Sequence, residues 1–218
     1  LSLSGGTEKV TYYTSLGYYK ENGNMEGVSM DRFNVVGKTS YKVNRMLKLG
    51  VSLFANRRKN TDYPTDKFGM SNPVYYSRKA NPYFELYDKD GNYNYDYDIQ
   101  NNTDTDLKFN IFEERRNTSL ESVVNSFSSI FDAELRFNDK LKITSQFGYQ
   151  LDKASKEEIA DWDSYAMRSL YKKSNYDQNG ETKYFLPQGG VQKKYENSNS
   201  QITWKTMGEY RDSFNDIH

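Results

Sequence analysis

The protein is 218 residues long, a length typical of one large or two small domains. Its 30 basic and 30 acidic side chains cancel, which argues against a nucleic-acid-binding protein, because such proteins normally carry a basic excess. The chain contains no cysteine, and its only histidine is the last residue, His218. A disulfide framework and Cys chemistry are therefore excluded, and a His-ligated metal or a Ser-His-Asp triad is nearly so.

The composition combines a low hydrophobic content with a high aromatic content. Only 35% of residues are hydrophobic and the mean hydropathy is −0.97, yet 16% are aromatic, including 20 tyrosines. Disordered chains are poor in aromatics, so we expect β-structure with one apolar and one polar face. There is no apolar run of 18 residues to predict a transmembrane helix, but membrane-spanning strands need only about 10 alternating residues. Because the chain begins with leucine and has no signal peptide, we expect it to be part of a longer protein.

Apolar and polar residues alternate with a period of two in several segments, which predicts antiparallel strands. In one of them, Leu47, Leu49 and Leu53 lie on one face and Lys48 and Ser52 on the other. The predicted strands are Leu1–Ser4 (the end of a strand), Val10–Tyr19, Arg32–Val43, Leu47–Arg57, Asn125–Phe137, Leu141–Asp152 and Ser200–Tyr210.

The connections between these strands alternate in length. Residues 5–9, 44–46 and 138–140 form short turns, whereas 20–31, 58–124 and 153–199 are longer. An up-and-down meander places all the short turns at one end, as in outer-membrane β-barrels. We therefore predict an all-β fold: an antiparallel up-and-down transmembrane β-barrel segment of about seven strands, with long extracellular loops. A soluble all-β ligand-binding or adhesin module is the alternative, and an odd strand count argues against a complete small barrel.

The opening LSLSGGTEKVTYYTSLGYYKENGNMEG, followed by DRFNV, resembles the SusC/RagA-type TonB-linked (TonB-dependent) outer-membrane transporters of Bacteroidetes. Met30 stands where that family has a tyrosine. Residues 47–50, the stretch FNDKLKITSQFGY at 137–149 and the strand 204–210 are also similar to the family. The matching positions of the opening are Ser2, Ser4, Gly5, Gly6, Tyr12, Tyr13, Ser15, Gly17, Tyr18, Gly23, Arg32 and Phe33.

The resemblance implies a barrel of 22 strands with an N-terminal plug, which imports glycans or peptides using TonB and the proton-motive force. It also implies a SusD-like surface lipoprotein that covers the barrel. Residues 1–218 would then be one part of the barrel domain, with long loops at about 59–121 and 153–199 and no plug. The implied partners are the rest of the barrel and its plug, the SusD-like lipoprotein, TonB through the plug region, and outer-membrane lipid. We predict a transport protein of the bacterial outer membrane and no enzyme, catalytic residue, metal or cofactor.

The loop 59–121 holds a dense set of aromatic residues, which could form the loop's own small core or could stack on a ligand or on the lid. The set comprises Tyr75, Tyr76, Tyr83, Phe84, Tyr87, Tyr93, Tyr95 and Tyr97. The candidate substrate- or partner-binding residues are Tyr83, Phe84, Tyr87, Tyr93, Tyr95 and, from the second long loop, Trp162.

Two local motifs lie within the long loops. The stretch Asp88–Asn92 is similar to a calcium loop, but its glycine comes two positions too early, so a tight hairpin is favoured. An amphipathic helix is predicted over Lys156–Tyr171, with Ser155 and Glu158 as a capping box and Trp162 as a docking candidate.

The charged run Glu113–Arg116 is predicted to be a solvated loop. Lumen-side basic residues could tune the passage of solutes, but the favoured prediction is that they solvate the barrel wall: Lys38, Lys42, Lys48, Arg136 and Lys142.

Overall fold

A computed structural model describes residues 1–64, 71–98 and 107–212. The strands are β1 (Ser2–Gly6), β2 (Val10–Asn22), β3 (Ser29–Lys42), β4 (Leu47–Asp62), β5 (Thr118–Arg136), β6 (Leu141–Ala160), β7 (Asn175–Gln178), β8 (Glu181–Tyr184) and β9 (Val191–Tyr210). The helices are α1 (Pro73–Ser77), α2 (Ile111–Asn117) and α3 (Tyr165–Lys173). Within the described ranges, no helix is long and apolar enough to cross a membrane.

Seven of the strands form one antiparallel sheet in the order β1-β2-β3-β4-β5-β6-β9, and β7 and β8 form a separate hairpin. Each strand of the large sheet pairs with the next one along the chain, apart from the inserted hairpin, so the sheet is a meander. The short connections 7–9, 43–46 and 137–140 therefore lie at one end. The connections 23–28, 63–117 and 161–190 lie at the other, which confirms the predicted separation of short turns from long loops.

The sheet has two chemically different faces. Residues that pair across strands share a face, and the row Val51, Phe131, Phe147 and Trp204 runs across β4, β5, β6 and β9. We call the face that carries this row the apolar face and the opposite one the polar face. Phe131, Phe147 and Trp204 are 49%, 44% and 77% exposed. Large apolar side chains thus stand uncovered in the middle of the sheet, whereas a soluble sandwich would cover them with a second sheet.

The buried core lies at the long-loop end of the molecule and not beneath the sheet. One cluster is formed by Tyr76, Phe109 and Ile111. A second is formed by Ala160, Ala166 and Met167. The loops therefore build their own hydrophobic core, which confirms for Tyr76 the interpretation that loop tyrosines serve packing.

The strands were predicted too short at their long-loop ends. The strand predicted as Leu141–Asp152 continues to Ala160, and the one predicted as Asn125–Phe137 begins at Thr118. The alternation ends on β6 where both faces become polar, and on β5 where the adjacent Val123 and Val124 place apolar side chains on both faces. Backbone pairing continues beyond that point, for example between Glu121 and Glu157.

The helix predicted over Lys156–Tyr171 is wrong in its first half. Ser155 and Glu158, read as a capping box, lie in β6. The helix begins at Tyr165, and its cap is Ser164, whose hydroxyl oxygen accepts a hydrogen bond from the backbone N–H of Met167 at 3.0 Å. The misreading arose because two serines stand near the start of the same apolar pattern, and only strand pairing decides between them.

Candidate functional site

The three long loops meet in one structure, which we call the loop cap: residues 23–28, 161–190 and the described part of 63–117. At its centre lies Glu114 of α2, which is only 2% exposed. Its carboxylate accepts hydrogen bonds from the Ser71 hydroxyl at 2.7 Å and from the backbone N–H groups of Tyr165 and Ala166 at 2.5 and 3.1 Å. A side chain of the first large loop thus caps the first turn of a helix in the second.

The prediction that Glu113–Arg116 is a solvated loop is therefore wrong. These residues form most of α2, and Glu114 is one of the most buried side chains among the described residues. Burial raises the pKa of Glu114, and the hydrogen bonds from Ser71, Ala166 and Tyr165 oppose that shift in part. A charge run is normally solvated, and here tertiary packing overrides that tendency because the carboxylate has three donors.

Two arginines extend the connection between the loops. The Arg168 guanidinium donates to the backbone carbonyl oxygens of Leu107 at 2.9 Å and Lys108 at 2.8 Å, joining α3 to the first large loop. Arg115 donates to the carbonyl oxygen of Glu26 in the 23–28 loop at 2.5 Å. Because each arginine spans two loops, the cap forms one connected structure and not three independent loops.

The stretch Asp88–Asn92 is a tight hairpin, as predicted. Tyr87 and Tyr93 form a bridge across it, and Gly91 has the positive φ of +82° that the turn requires. The Asp88 carboxylate accepts hydrogen bonds from the backbone N–H groups of Asp90 and Asn92 at 2.9 and 2.8 Å. These bonds lower the pKa of Asp88, and they give the carboxylate a structural role in the turn.

The hairpin presents a short aromatic stack at the surface of the cap. The rings of Tyr87 and Tyr93 stack with centroids 5.5 Å apart, and Phe112 of α2 stacks on Tyr87 at 5.7 Å. Arg116 lies over the Tyr93 ring at 5.9 Å. The structure thus brings together two of the six candidate residues, and Tyr87 remains 42% exposed.

The other four candidate residues lie in different surroundings. Tyr83 is 90% exposed, whereas Phe84 is half-buried. Lys108 lies over the ring of Tyr95 at 5.8 Å. Trp162 packs edge-on against Tyr171 at 5.1 Å and against the α3 core, so much of its surface supports the helix. Tyr83 is therefore the candidate with the most surface available to a ligand.

A second aromatic surface was missed by the sequence analysis. The hairpin β7–β8 turns at Asn179 and Gly180, which both have positive φ. Phe185 follows the hairpin, is 75% exposed and stacks on Tyr176 with centroids 4.3 Å apart. The Asn-Gly pair is the strongest short-range hairpin signal and could have revealed this element.

The polar face of the sheet carries amides, hydroxyls and charges. Asn56 donates to Asn34 on the neighbouring strand, and the Gln150 amide donates to Asp152 at 2.7 Å. Lys38 lies over the Phe54 ring at 5.4 Å, so a cation covers an apolar exception on this face. A surface of this kind suits the wall of a water-filled lumen.

Comparison with known proteins supports the same fold. No protein-family model matches the chain. It is 22% identical over 153 residues to TonB-dependent receptor P3 of Formosa agariphila, covering 68% of this chain and 15% of that protein. The RagAB peptide importer in its open-open state matches 99% of this chain and 22% of its own, with a TM-score of 0.70 and 17% identity. In the closed-closed state the TM-score is 0.65, with 15% identity and the same coverage.

The chain thus spans less than a quarter of the length of each of these proteins. Its fold is that of a barrel segment of a TonB-dependent receptor, which confirms the predicted fold class and the resemblance to the SusC/RagA type. The matched proteins are a TonB-dependent receptor and a peptide importer, in agreement with the predicted class of transport protein.

Proposed function

We propose that this chain forms part of the barrel wall of a TonB-dependent outer-membrane importer that takes up peptides or glycans. The observation that carries the proposal is the two-faced sheet: exposed apolar side chains on one face, polar side chains on the other, and every long loop at one end. The apolar face would contact lipid, the polar face would line the lumen, and the loop cap would lie outside the cell.

The extent of the apolar face supports this orientation. Along β4 it carries apolar residues from Leu47 to Ala55, and along β6 apolar or aromatic residues from Leu141 to Leu151 except Ser145, whose hydroxyl accepts a hydrogen bond from the Trp204 ring N–H at 3.0 Å. Eleven residues of a strand rise about 33 Å along its length, or about 25 Å across a bilayer when the strand is tilted by about 40°. That height matches the apolar band of an outer-membrane barrel.

The proposal also includes the partners of the complete protein. The plug and the remaining strands would complete the barrel, and TonB would act through the plug. A SusD-like lipoprotein would cover the extracellular end, where the connected loop cap offers it a firm surface. Two of the matched structures are described as a peptide importer, which makes peptides the first substrate class to test.

Uptake by the complete protein tests this function. Bacteria that lack the gene should lose growth on peptide mixtures or on a glycan as the limiting nutrient, and restoring the gene should restore growth only when TonB is present. Recovery of the protein from the soluble fraction would contradict the proposal and favour a soluble all-β binding module.

Replacing Tyr83 with alanine tests whether the loop aromatics contact the ligand. Because Tyr83 is 90% exposed, its removal should leave folding unchanged. Loss of one stacking ring should weaken ligand binding by about 1 kcal/mol, which is about fivefold. Titration of the purified importer by calorimetry would measure this, with Tyr83→Phe as the control that keeps the ring. Equal affinities for the alanine variant and the natural protein would show that Tyr83 does not contact the ligand.

A further inference from the structure

A row of four polar residues lies on the apolar face across β4, β5, β6 and β9, beyond the apolar stretch of that face on β4 and β6. Arg57 of β4 pairs with Asn125 of β5, Asn125 with Lys153 of β6, and Lys153 with Ser198 of β9. The four residues therefore share one face, and all of them are exposed. The row contains two cations and two neutral hydrogen-bonding side chains, so it carries net positive charge.

The neighbouring row toward the short turns is apolar on β4, β5 and β6, and ends at Ser200 on β9. Ala55, Phe127 and Leu151 lie two residues along the same strands, and they pair with one another. In the orientation proposed above, this apolar row ends the hydrocarbon region. The row of Arg57 and Lys153 then lies at the level of the outer leaflet's headgroups.

The two cations of this row differ from another basic residue on the same face in their ion pairing. Within the described ranges, neither Arg57 nor Lys153 forms an ion pair. The next basic residue outward differs, because Lys59 pairs with Glu121 at 2.6 Å. A basic side chain on the lipid-facing side of a barrel is costly within the bilayer but favourable beside an anionic headgroup.

The spacing of the two cations fits a single phosphate. Their strands are separated by β5, so their backbones are about 9.5 Å apart at the usual strand spacing. Each side chain reaches about 6 Å, so both can contact a group placed over Asn125. Arginine offers a planar fork of donors, lysine a point charge and asparagine an amide N–H, and together these donors match the oxygens of a phosphate.

We propose that Arg57, Asn125 and Lys153 bind the phosphorylated headgroup of a lipid in the outer leaflet of the outer membrane. This inference rests on the proposed function, because it requires the apolar face to contact lipid. The site would fix the height of the barrel in the membrane and hold an annular lipid beside the loop cap.

Native mass spectrometry of the complete, delipidated importer tests the site, with lipid A carrying one phosphate as the probe. The double variant Arg57→Gln/Lys153→Gln should bind this lipid about 30-fold more weakly, because each basic residue contributes about 1 kcal/mol near an anionic surface. Lipid A without the phosphate should bind the natural protein and the variant equally.

The matched control is Arg58→Gln/Lys48→Gln, which removes two positive charges from the polar face of β4. It should leave binding of the phosphorylated lipid unchanged. Equal binding by the natural protein and the Arg57/Lys153 variant, or an equal loss in the control, would overturn the proposed site. The proposed function predicts that both variants insert normally and are recovered in the outer-membrane fraction. This recovery separates failure of the lipid site from failure of the proposed function.

Discussion

Replacing Glu114 with alanine should separate the two large loops of the cap. The substitution removes the acceptor for Ser71 and for the first N–H groups of α3, and it leaves three buried or half-buried donors without their partner. Each such loss costs about 1–3 kcal/mol, so three losses at the lower end of this range should cost the cap about 3 kcal/mol. Hydrogen exchange of the Tyr165 and Ala166 amides should accelerate by about 100-fold, whereas strand amides near Phe147 should not change.

The neighbouring residue supplies the control for this prediction. Glu113 is also in α2, but it is less buried and forms an ion pair with Arg168 at 3.6 Å. Glu113→Ala should therefore accelerate exchange of the α3 amides by less than about tenfold, as expected for a partly exposed ion pair. Slow exchange of Tyr165 and Ala166 in the Glu114 variant would show that the cap does not depend on this carboxylate.

Placing an arginine at Phe147 should strongly destabilise the complete barrel. Phe147 lies in the middle of the apolar face, between Phe131 and Trp204. A charge there would sit near the bilayer midplane, where it costs about 2–4 kcal/mol. The free energy of unfolding of the full protein in lipid vesicles should fall by this amount, as measured by denaturant titration.

Gln146→Arg is the matched control, because it introduces the same side chain one residue away on the polar face. That side chain would meet the water-filled lumen, so the expected change in the free energy of unfolding is within about 0.5 kcal/mol. If the two variants were equally destabilised, the assignment of the faces would be incorrect.

The strands and their order were predictable from the sequence because a half-buried strand leaves a period of two. This pattern is strongest within the apolar band, as in Leu47, Leu49 and Leu53. It fades where Lys153 and Glu157 replace apolar residues, and there the predicted strands ended too early. The extension follows from backbone pairing between neighbouring strands, which a single sequence does not display.

The loop cap was much less predictable, because its structure depends on contacts between distant segments. Glu114 looks like part of a solvated charge run until Ser71 and the start of α3 are placed around it. Trp162 was predicted on the apolar stripe of a helix, but it lies before α3 and packs against Tyr171, a contact that spacing alone does not reveal. Which aromatics of the cap bind a ligand remains a prediction, and the exposure of Tyr83 makes it the first to test.

A cysteine scan along β6 tests most directly whether the apolar face contacts lipid. These 218 residues contain no cysteine, so single cysteines that carry spin labels can be placed at positions 143–150 once any cysteine elsewhere in the complete protein has been replaced. In the complete protein in membranes, labels at odd positions should be relaxed by oxygen dissolved in the lipid, and labels at even positions by a water-soluble nickel complex. An alternation with this phase would support a lipid-facing barrel wall. Labels at odd positions that respond mainly to the nickel complex would contradict it.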